Sequence, residues 1–300
     1  MDAKLNKKID TQNVTLLVGT FKQPKLLMTT LTAMVNQTYT NIKIIVIDDN
    51  SMKDTEIIEE TKLIVRAFED SRIEYIKNDF NIGVPFVFRK WISMVESKYF
   101  YLTGAGDQLM PDAIESMVTF LEDNNNASMV HGLEIKGNGE REKSLFNETC
   151  LVETKPYLKY HLLGGKKTYS WSQSSALFRT EFWRTKNIPI IHDHYWDYYF
   201  HCSYILFSTH IGYLNLLVAS RETEKNDNYE NNLGINSFLI ETERVNNALK
   251  FIIDHEVYML LRGYPTAIYK IKIANRLLKQ GIRNQNINQS LFCIGRAFQI

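Results

Sequence analysis

Residues 36–51 read NQTYTNIKIIVIDDNS. A polar lead gives way to an almost wholly apolar run from Ile42 to Ile47, which stops on Asp48-Asp49-Asn50-Ser51. A short run of this kind is expected of a strand buried on both faces. The two carboxylates then sit at the edge of whatever sheet the strand joins.

Working outward, the same grammar repeats. Residues 14–19 (VTLLVG) form a second apolar run, and Pro24 opens a helical stretch, PKLLMTTLTAMVNQ. Proline suits a first helical turn because the N–H it lacks would have no partner there. A charged helix is predicted over residues 54–68, a strand over 72–76 and a helix over 85–96. A strand over 99–103 follows, ending in Gly104-Ala105-Gly106-Asp107. Pro111 starts a helix that runs to about residue 124, and residues 128–135 return to strand. Strands alternating with helices predict a mostly parallel α/β sheet with flanking helices on both faces. Such sheets bind ligands beyond the carboxyl ends of their strands. Thr20-Phe21, Asp48-Asp49 and the turn at 104–107 therefore fall on one edge, as the walls of a nucleotide pocket.

Past residue 136 the alternation fades. Residues 136–154 read as polar loop, 174–178 as strand, 194–206 as an aromatic-rich helix and 210–220 as strand. From residue 235 the chain reads as a helical C-terminal extension. The expected organisation is a catalytic domain over 1–230 and the helical extension over 231–300. Within the first, the nucleotide-binding part covers about 12–125 and the acceptor part about 126–230.

The 300 residues are 44% hydrophobic and 23% charged with a formal net charge of +1. This is a globular balance with no field that would attract nucleic acid. No stretch approaches the roughly 20 apolar residues needed to cross a bilayer. Cys150, Cys202 and Cys293 fit neither a disulfide framework nor a zinc knuckle, so a reducing, cytoplasmic setting is expected. Residues 262–300 carry seven Lys or Arg and no acid. Tyr269, Ile273, Leu277 and Leu278 line up beside Lys270, Lys272, Arg276 and Lys279 at helical spacing. Two readings stay open for that stripe: a contact with an anionic membrane, placing the protein peripherally on the inner face of the cell membrane, or an oligomer or domain contact.

Three blocks together, VTLLVGTFKQPKLL, VNQTYTNIKIIVIDDNSMKD and NDFNIGVPFVFRKWISMVESKYFYLTGAGDQLMPDAI, resemble in order and spacing the family 2 glycosyltransferases of GT-A fold. The resemblance implies a GT-A-like sheet and transfer of a sugar from a nucleotide sugar. It places Thr20 and Phe21 beside the nucleotide base and gives Asp49, second of the pair with Asp48, the base N–H. It puts Arg89 and Arg221 near the donor diphosphate. Relatives carry an Asp-x-Asp or Asp-Asp before the MPD segment, whose key carboxylate holds manganese or magnesium; here Gly106 stands at that position, with Asp107 the next acid. Three readings follow: metal independence through Lys or Arg and the turn's backbone N–H groups, a shifted metal site on Asp107, or an impaired site.

For the acceptor half, the resemblance calls for a carboxylate base and points to Asp197 or Asp193, which stand four apart. His194, Asp197 and His201 also share a helical face, so His194 is a second metal candidate. Trp171 and Trp196 are candidates to stack on an acceptor sugar. Trp91, within a matched helix, reads as core. The expected function is an inverting transfer from a nucleotide sugar, UDP-linked by preference, to a glycan, lipid-linked or protein-linked acceptor. The cofactor is either none or a divalent metal. The alternative is a catalytically impaired member of the fold that binds sugar or serves a partner enzyme.

Overall fold

A computed structural model describes residues 13–137, 139–141, 144, 146–154, 172–186, 200, 204–205 and 207–221. The expected helical extension at 231–300 lies outside the described residues, as do Trp171, Asp193, His194, Trp196, Asp197 and His201. The chain divides into two compact units. One comprises residues 1–152, 171–196 and 210–222; the other comprises 153–170, 197–209 and 223–300. In the second, the Thr154 hydroxyl donates to the Ser208 carbonyl, and the Phe200 and Tyr204 rings lie 5.1 Å apart.

The first unit is built on a nine-stranded sheet. Its strands are β1 (Val14–Thr20), β2 (Ile42–Asp48), β3 (Ile73–Lys77), β4 (Tyr99–Gly104), β5 (Asp107–Leu109), β6 (Ala127–Ile135), β7 (Cys150–Glu153), β8 (Ala176–Arg179) and β9 (His210–Arg221). The order is β3-β2-β1-β4-β8-β6-β9-β5, with β7 beside β9. β1 to β4 are parallel where they pair; β8 and β5 run against their neighbours. The helices are α1 (Pro24–Val35), α2 (Thr55–Ala67), α3 (Val84–Met94), α4 (Ala113–Asp123) and α5 (Thr180–Lys186).

Period-two alternation decides which face each helix covers. Val14, Leu16 and Val18 of β1 join one buried cluster with Leu27, Leu31 and Met34 of α1 and Ile114, Met117 and Leu121 of α4. Gly19 belongs to the alternate set and meets Trp91 of α3; a Cβ there would lie 2.8 Å from the indole Cη2. Trp91 is fully buried, as its helix pattern predicts.

Three elements escape the sequence pattern. β5 has only the three residues Asp107–Leu109 and exists because it pairs with β9. β7 lies in the stretch read as loop. α5 is short and carries two aromatics, with Trp183 edge-on to Phe100 at 6.5 Å. Among the described residues, no helix is long and apolar enough to cross a membrane.

The sheet cannot be flat. Only Ala105 and Gly106 join β4 to β5, a span of at most about 11 Å between Gly104 and Asp107 at 3.8 Å per residue. Four strand steps separate β4 from β5 in the sheet order, about 19 Å at ordinary spacing. The strands between must therefore curl. The β6–β9 ladder shows where, with register breaks between Ala127 and Val130, His131 and Leu133, and Leu133 and Glu134. Bulges of this kind bend a strand and sharpen its twist. The end of β9 is thus returned to the start of β5.

Candidate functional site

The carboxyl ends of β1, β2 and β4 meet as the alternation predicts: Thr20 pairs with Asp48, and Gly19 with Gly104. Phe21, just past β1, is exposed, and the Lys22 ammonium sits 5.4 Å from its ring centre. Lys22 has a positive φ of 57°, uncommon for a side-chain-bearing residue, and its N–H donates to Asn50 Oδ1 at 2.8 Å. Thr20 Oγ1 and Asn50 Nδ2 are buried with no hydrogen-bond partner. Buried polar groups normally find partners, so two orphans at adjacent strand ends mark this edge as unusual.

Asp48 and Asp49 work inward. The Asp48 carboxylate accepts from the Asn50 N–H at 2.8 Å and the Tyr75 hydroxyl at 2.6 Å. Burial, then that hydrogen bond, pushes the Tyr75 phenol well up. The Asp49 carboxylate accepts from Asn78 Nδ2 at 2.8 Å, Ile82 N at 3.0 Å and Gly83 N at 2.9 Å. Asn81 Nδ2 donates to the Asp49 carbonyl at 3.0 Å. Asp49 therefore pins the Asn81-Ile82-Gly83 loop to the end of β2. A carboxylate offers about four acceptor positions, so about one remains for a ligand. Lys77 Nζ reaches the carbonyls of Asn50 and Asn78, and Lys90 Nζ donates to Asn78 Oδ1 at 2.9 Å. Arg89 is exposed on α3 beside Lys90.

The turn after β4 is also committed. Gly106 has φ 104°, which glycine adopts without steric cost. Its N–H donates to Thr30 Oγ1 at 2.9 Å, and the Ala105 N–H donates to the Gly19 carbonyl at 2.9 Å. Both N–H groups are thus engaged inside the fold.

Asp107 opens β5 directly opposite Arg221, the last residue of β9. Its carboxylate accepts from the Thr103 hydroxyl at 2.7 Å and from Arg221 Nε at 3.1 Å. Arg221 Nη2 donates to Ser172 Oγ at 3.2 Å. Ser172 Oγ also lies 2.5 Å from Ser174 Oγ, and Glu134, nearly buried, stands at the carboxyl end of β6. Burial pushes Glu134 above the ordinary carboxylate range; Arg221 opposes the rise and Asp107 adds to it. Sequence reading missed Glu134, Ser172, Asn78 and Lys77. The one available signal for Glu134 was an acid inside a mostly apolar strand, SMVHGLEI.

Gly106 supplies no ligand for a divalent ion, and each oxygen of Asp107 accepts one hydrogen bond, from a hydroxyl or a guanidinium. Among the described residues, no group of three or more His, Cys, Asp and Glu is placed to hold a metal.

The model of "Glycosyl transferase family 2" matches residues 15–204. An "Uncharacterized glycosyltransferase" of Haemophilus influenzae is 32% identical over 115 residues, covering 38% of this chain and 34% of that protein. The chain thus spans about a third of that relative's length. S. aureus TarS 1-349 in complex with UDP-GlcNAc superposes with a TM-score of 0.58 at 13% identity, over 96% of this chain and 92% of TarS 1-349. The mannosyltransferase PcManGT from Pyrobaculum calidifontis, in complex with GDP-Man and Mn2+, gives 0.54 at 13%, over 96% of this chain and 75% of PcManGT. The fold is accordingly GT-A-like.

Proposed function

This chain belongs to glycosyl transferase family 2, and from that premise we propose that it moves a sugar, with inversion, from a nucleotide sugar to a glycan, lipid-linked or protein-linked acceptor. The observation that carries the reading is the convergence of Thr20, Phe21, Asp49, Asp107 and Arg221 on one edge of the sheet, where open α/β sheets bind nucleotides. Phe21 offers an exposed ring to a base. Asp49 has one acceptor position left for a base N–H, and Arg89 and Arg221 supply positive charge for the diphosphate. A UDP-sugar is the favoured donor, since an imide N–H suits a carboxylate acceptor. GDP-sugars are the competing class.

In the transfer, the acceptor hydroxyl oxygen attacks the anomeric carbon as the bond to the diphosphate oxygen breaks. Asp197 or Asp193 takes the hydroxyl proton, and the nucleoside diphosphate leaves with the bonding electron pair. Trp171 and Trp196 stack on the acceptor. Residues 1–230 form the catalytic domain in this reading, and the basic stripe within 262–300 meets either an anionic membrane from the cytoplasmic side or another subunit.

A second reading, a catalytically impaired sugar-binding or partner protein, draws on Gly106 and on the engaged oxygens of Asp107. A panel of UDP- and GDP-sugars, read by melting temperature and by release of nucleoside diphosphate, tests both. A stabilising donor that is also turned over supports the enzyme. Stabilisation without release under any acceptor condition supports the binding protein. No response to any donor overturns the nucleotide-sugar reading.

A further inference from the structure

We propose that Gln173, on the turn that leads into β8, reads a hydroxyl of the donor's sugar and so sets which sugar the protein accepts. The inference rests on the nucleotide-sugar reading above. It starts from one unpaired amide.

Gln173–Ser175 form a single 3-10 turn. β8 runs antiparallel to both β4 and β6, so the turn before it falls at the carboxyl ends of those two strands. Ala176 pairs with His131; followed three residues past that pair, the two chains bring Gln173 to about the level of Glu134. This is the edge that also carries Gly104, Asp107 and Arg221. The turn is held firmly there. The Ser175 N–H and hydroxyl donate to the Ser172 carbonyl at 3.1 and 2.9 Å, and the Ser174 N–H donates to Ser172 Oγ at 3.3 Å. The buried Tyr101 hydroxyl donates to the Ser174 carbonyl at 3.0 Å, and the Ala176 N–H donates to the Gln173 carbonyl. Gln173 Nε2, by contrast, is buried with no hydrogen-bond partner among the described residues. A buried donor left unpaired costs free energy, which a ligand bringing an acceptor recovers. The residue as a whole is only partly buried. The last torsion of a glutamine is broad and roughly two-fold, so the NH2 group swings towards the open edge without breaking a bond.

The chemistry of a carboxamide selects the ligand. It donates through NH2 and accepts through its carbonyl, and a sugar hydroxyl does both. Ser172, the residue before, is bonded to Arg221 Nη2 at 3.2 Å, and the nucleotide-sugar reading sets Arg221 at the diphosphate. The donor's sugar is joined directly to that diphosphate, so it is the sugar that lies nearest the turn. Glu134, nearly buried at the same level, offers a second polar group to a neighbouring hydroxyl. Fixed polar groups tell epimers apart, because an inverted hydroxyl leaves one of them unpaired.

Calorimetry on the full chain, in manganese, compares UDP and GDP with three epimeric pairs: UDP-glucose and UDP-galactose, the two UDP-N-acetylhexosamines, and GDP-glucose and GDP-mannose. Wild-type protein is expected to bind one sugar at least about tenfold tighter than its epimer, the discrimination a hydrogen-bonding site gives. Gln173→Met keeps the length of the side chain and removes the amide. It should cut the preference to about threefold or less, hold UDP or GDP affinity within about twofold, and melt at the wild-type temperature or above, since Nε2 gives up no bond. A merely structural glutamine would instead lower the melting temperature and weaken nucleotide and nucleotide sugar alike, and that result overturns the inference. If Gln173→Met fails to melt cooperatively, Gln173→Glu decides: it keeps an oxygen, loses the NH2 donor and should flatten the preference in the same way. Failure of both to fold marks a structural residue and overturns the inference too. A variant that keeps the wild-type preference, or a wild type that binds the epimers equally, overturns it and leaves the nucleotide-sugar reading standing. If no nucleotide or nucleotide sugar binds, both readings fall.

Discussion

Asp49→Asn is the perturbation whose cost the structure specifies most closely. Oδ1 of Asp49 holds Asn78 Nδ2 and Ile82 N, and Oδ2 holds Gly83 N. An asparagine oriented to keep its oxygen at the Oδ1 position retains two of these bonds. It then turns its NH2 group on the Gly83 N–H, donor against donor. Hydrogen bonds to charged groups contribute about 1.5–3 kcal/mol each, and the two survivors lose their charge assistance. The expected loss is about 2 kcal/mol of stability. Asp49→Ala removes all three and strands a buried amide. Water reaches the half-buried Ile82 and Gly83, so the expected loss is about 3–5 kcal/mol rather than the full sum. Against a typical total of about 5–15 kcal/mol, either is readily measured by urea unfolding. Hydrogen exchange separates this local clamp from a diffuse effect: the Ile82 and Gly83 amides should exchange much faster in Asp49→Asn, and the β1 amides should not. An unchanged unfolding midpoint with unchanged exchange at Ile82 and Gly83 would refute the clamp.

Gly19→Ala forces a methyl to within 2.8 Å of the buried Trp91 ring and should cost about 1–3 kcal/mol in thermal or chemical unfolding; a neutral result would mean that the indole shifts freely. His131 is wholly buried, and burial lowers its pKa from 6.5 to about 3. The folded form therefore refuses a proton that the unfolded chain accepts, so stability is full above about 6.5 and falls towards pH 3 by up to roughly 1.4 kcal/mol per unit. His131→Phe should flatten that slope, and an identical slope in the variant would sink the argument. Asp193→Asn and Asp197→Asn identify the base: one should reduce turnover by about 100-fold or more at unchanged UDP affinity, and two active variants would remove both from that role.

The first half of the chain was legible because local and global preferences agree there. Residues 14–19 and 42–47 are apolar runs of strand length, Pro24 marks a helix start, and the polar residues gather at strand ends where the topology needs them. Their bonding was not legible. Asp49 reads as a ligand-facing acid, and only the structure shows that Asn78, Ile82 and Gly83, some thirty residues on, claim most of its carboxylate. β5 left no periodic trace, since three residues cannot display one and its partner lies over a hundred residues away. Glu134 was hidden for the opposite reason: it sits within a strand whose mostly apolar residues argue for burial. The absence of an acid at Gly106, by contrast, was visible from the sequence.

The curl that returns β9 to β5 also orders events in time. Every strand from β1 to β4 finds its partner within the first hundred or so residues, whereas Asp107 waits for Arg221, more than a hundred positions later. Contacts that distant in sequence form late, because a long loop must close before they return any free energy. A nascent chain released only as far as residue 200 would already display Thr20 and Asp49 on a formed edge, with Asp107 still uncompensated. Arg221 then joins Asp107 only once β9 has been made, so this corner of the sheet edge closes after the β1–β4 core.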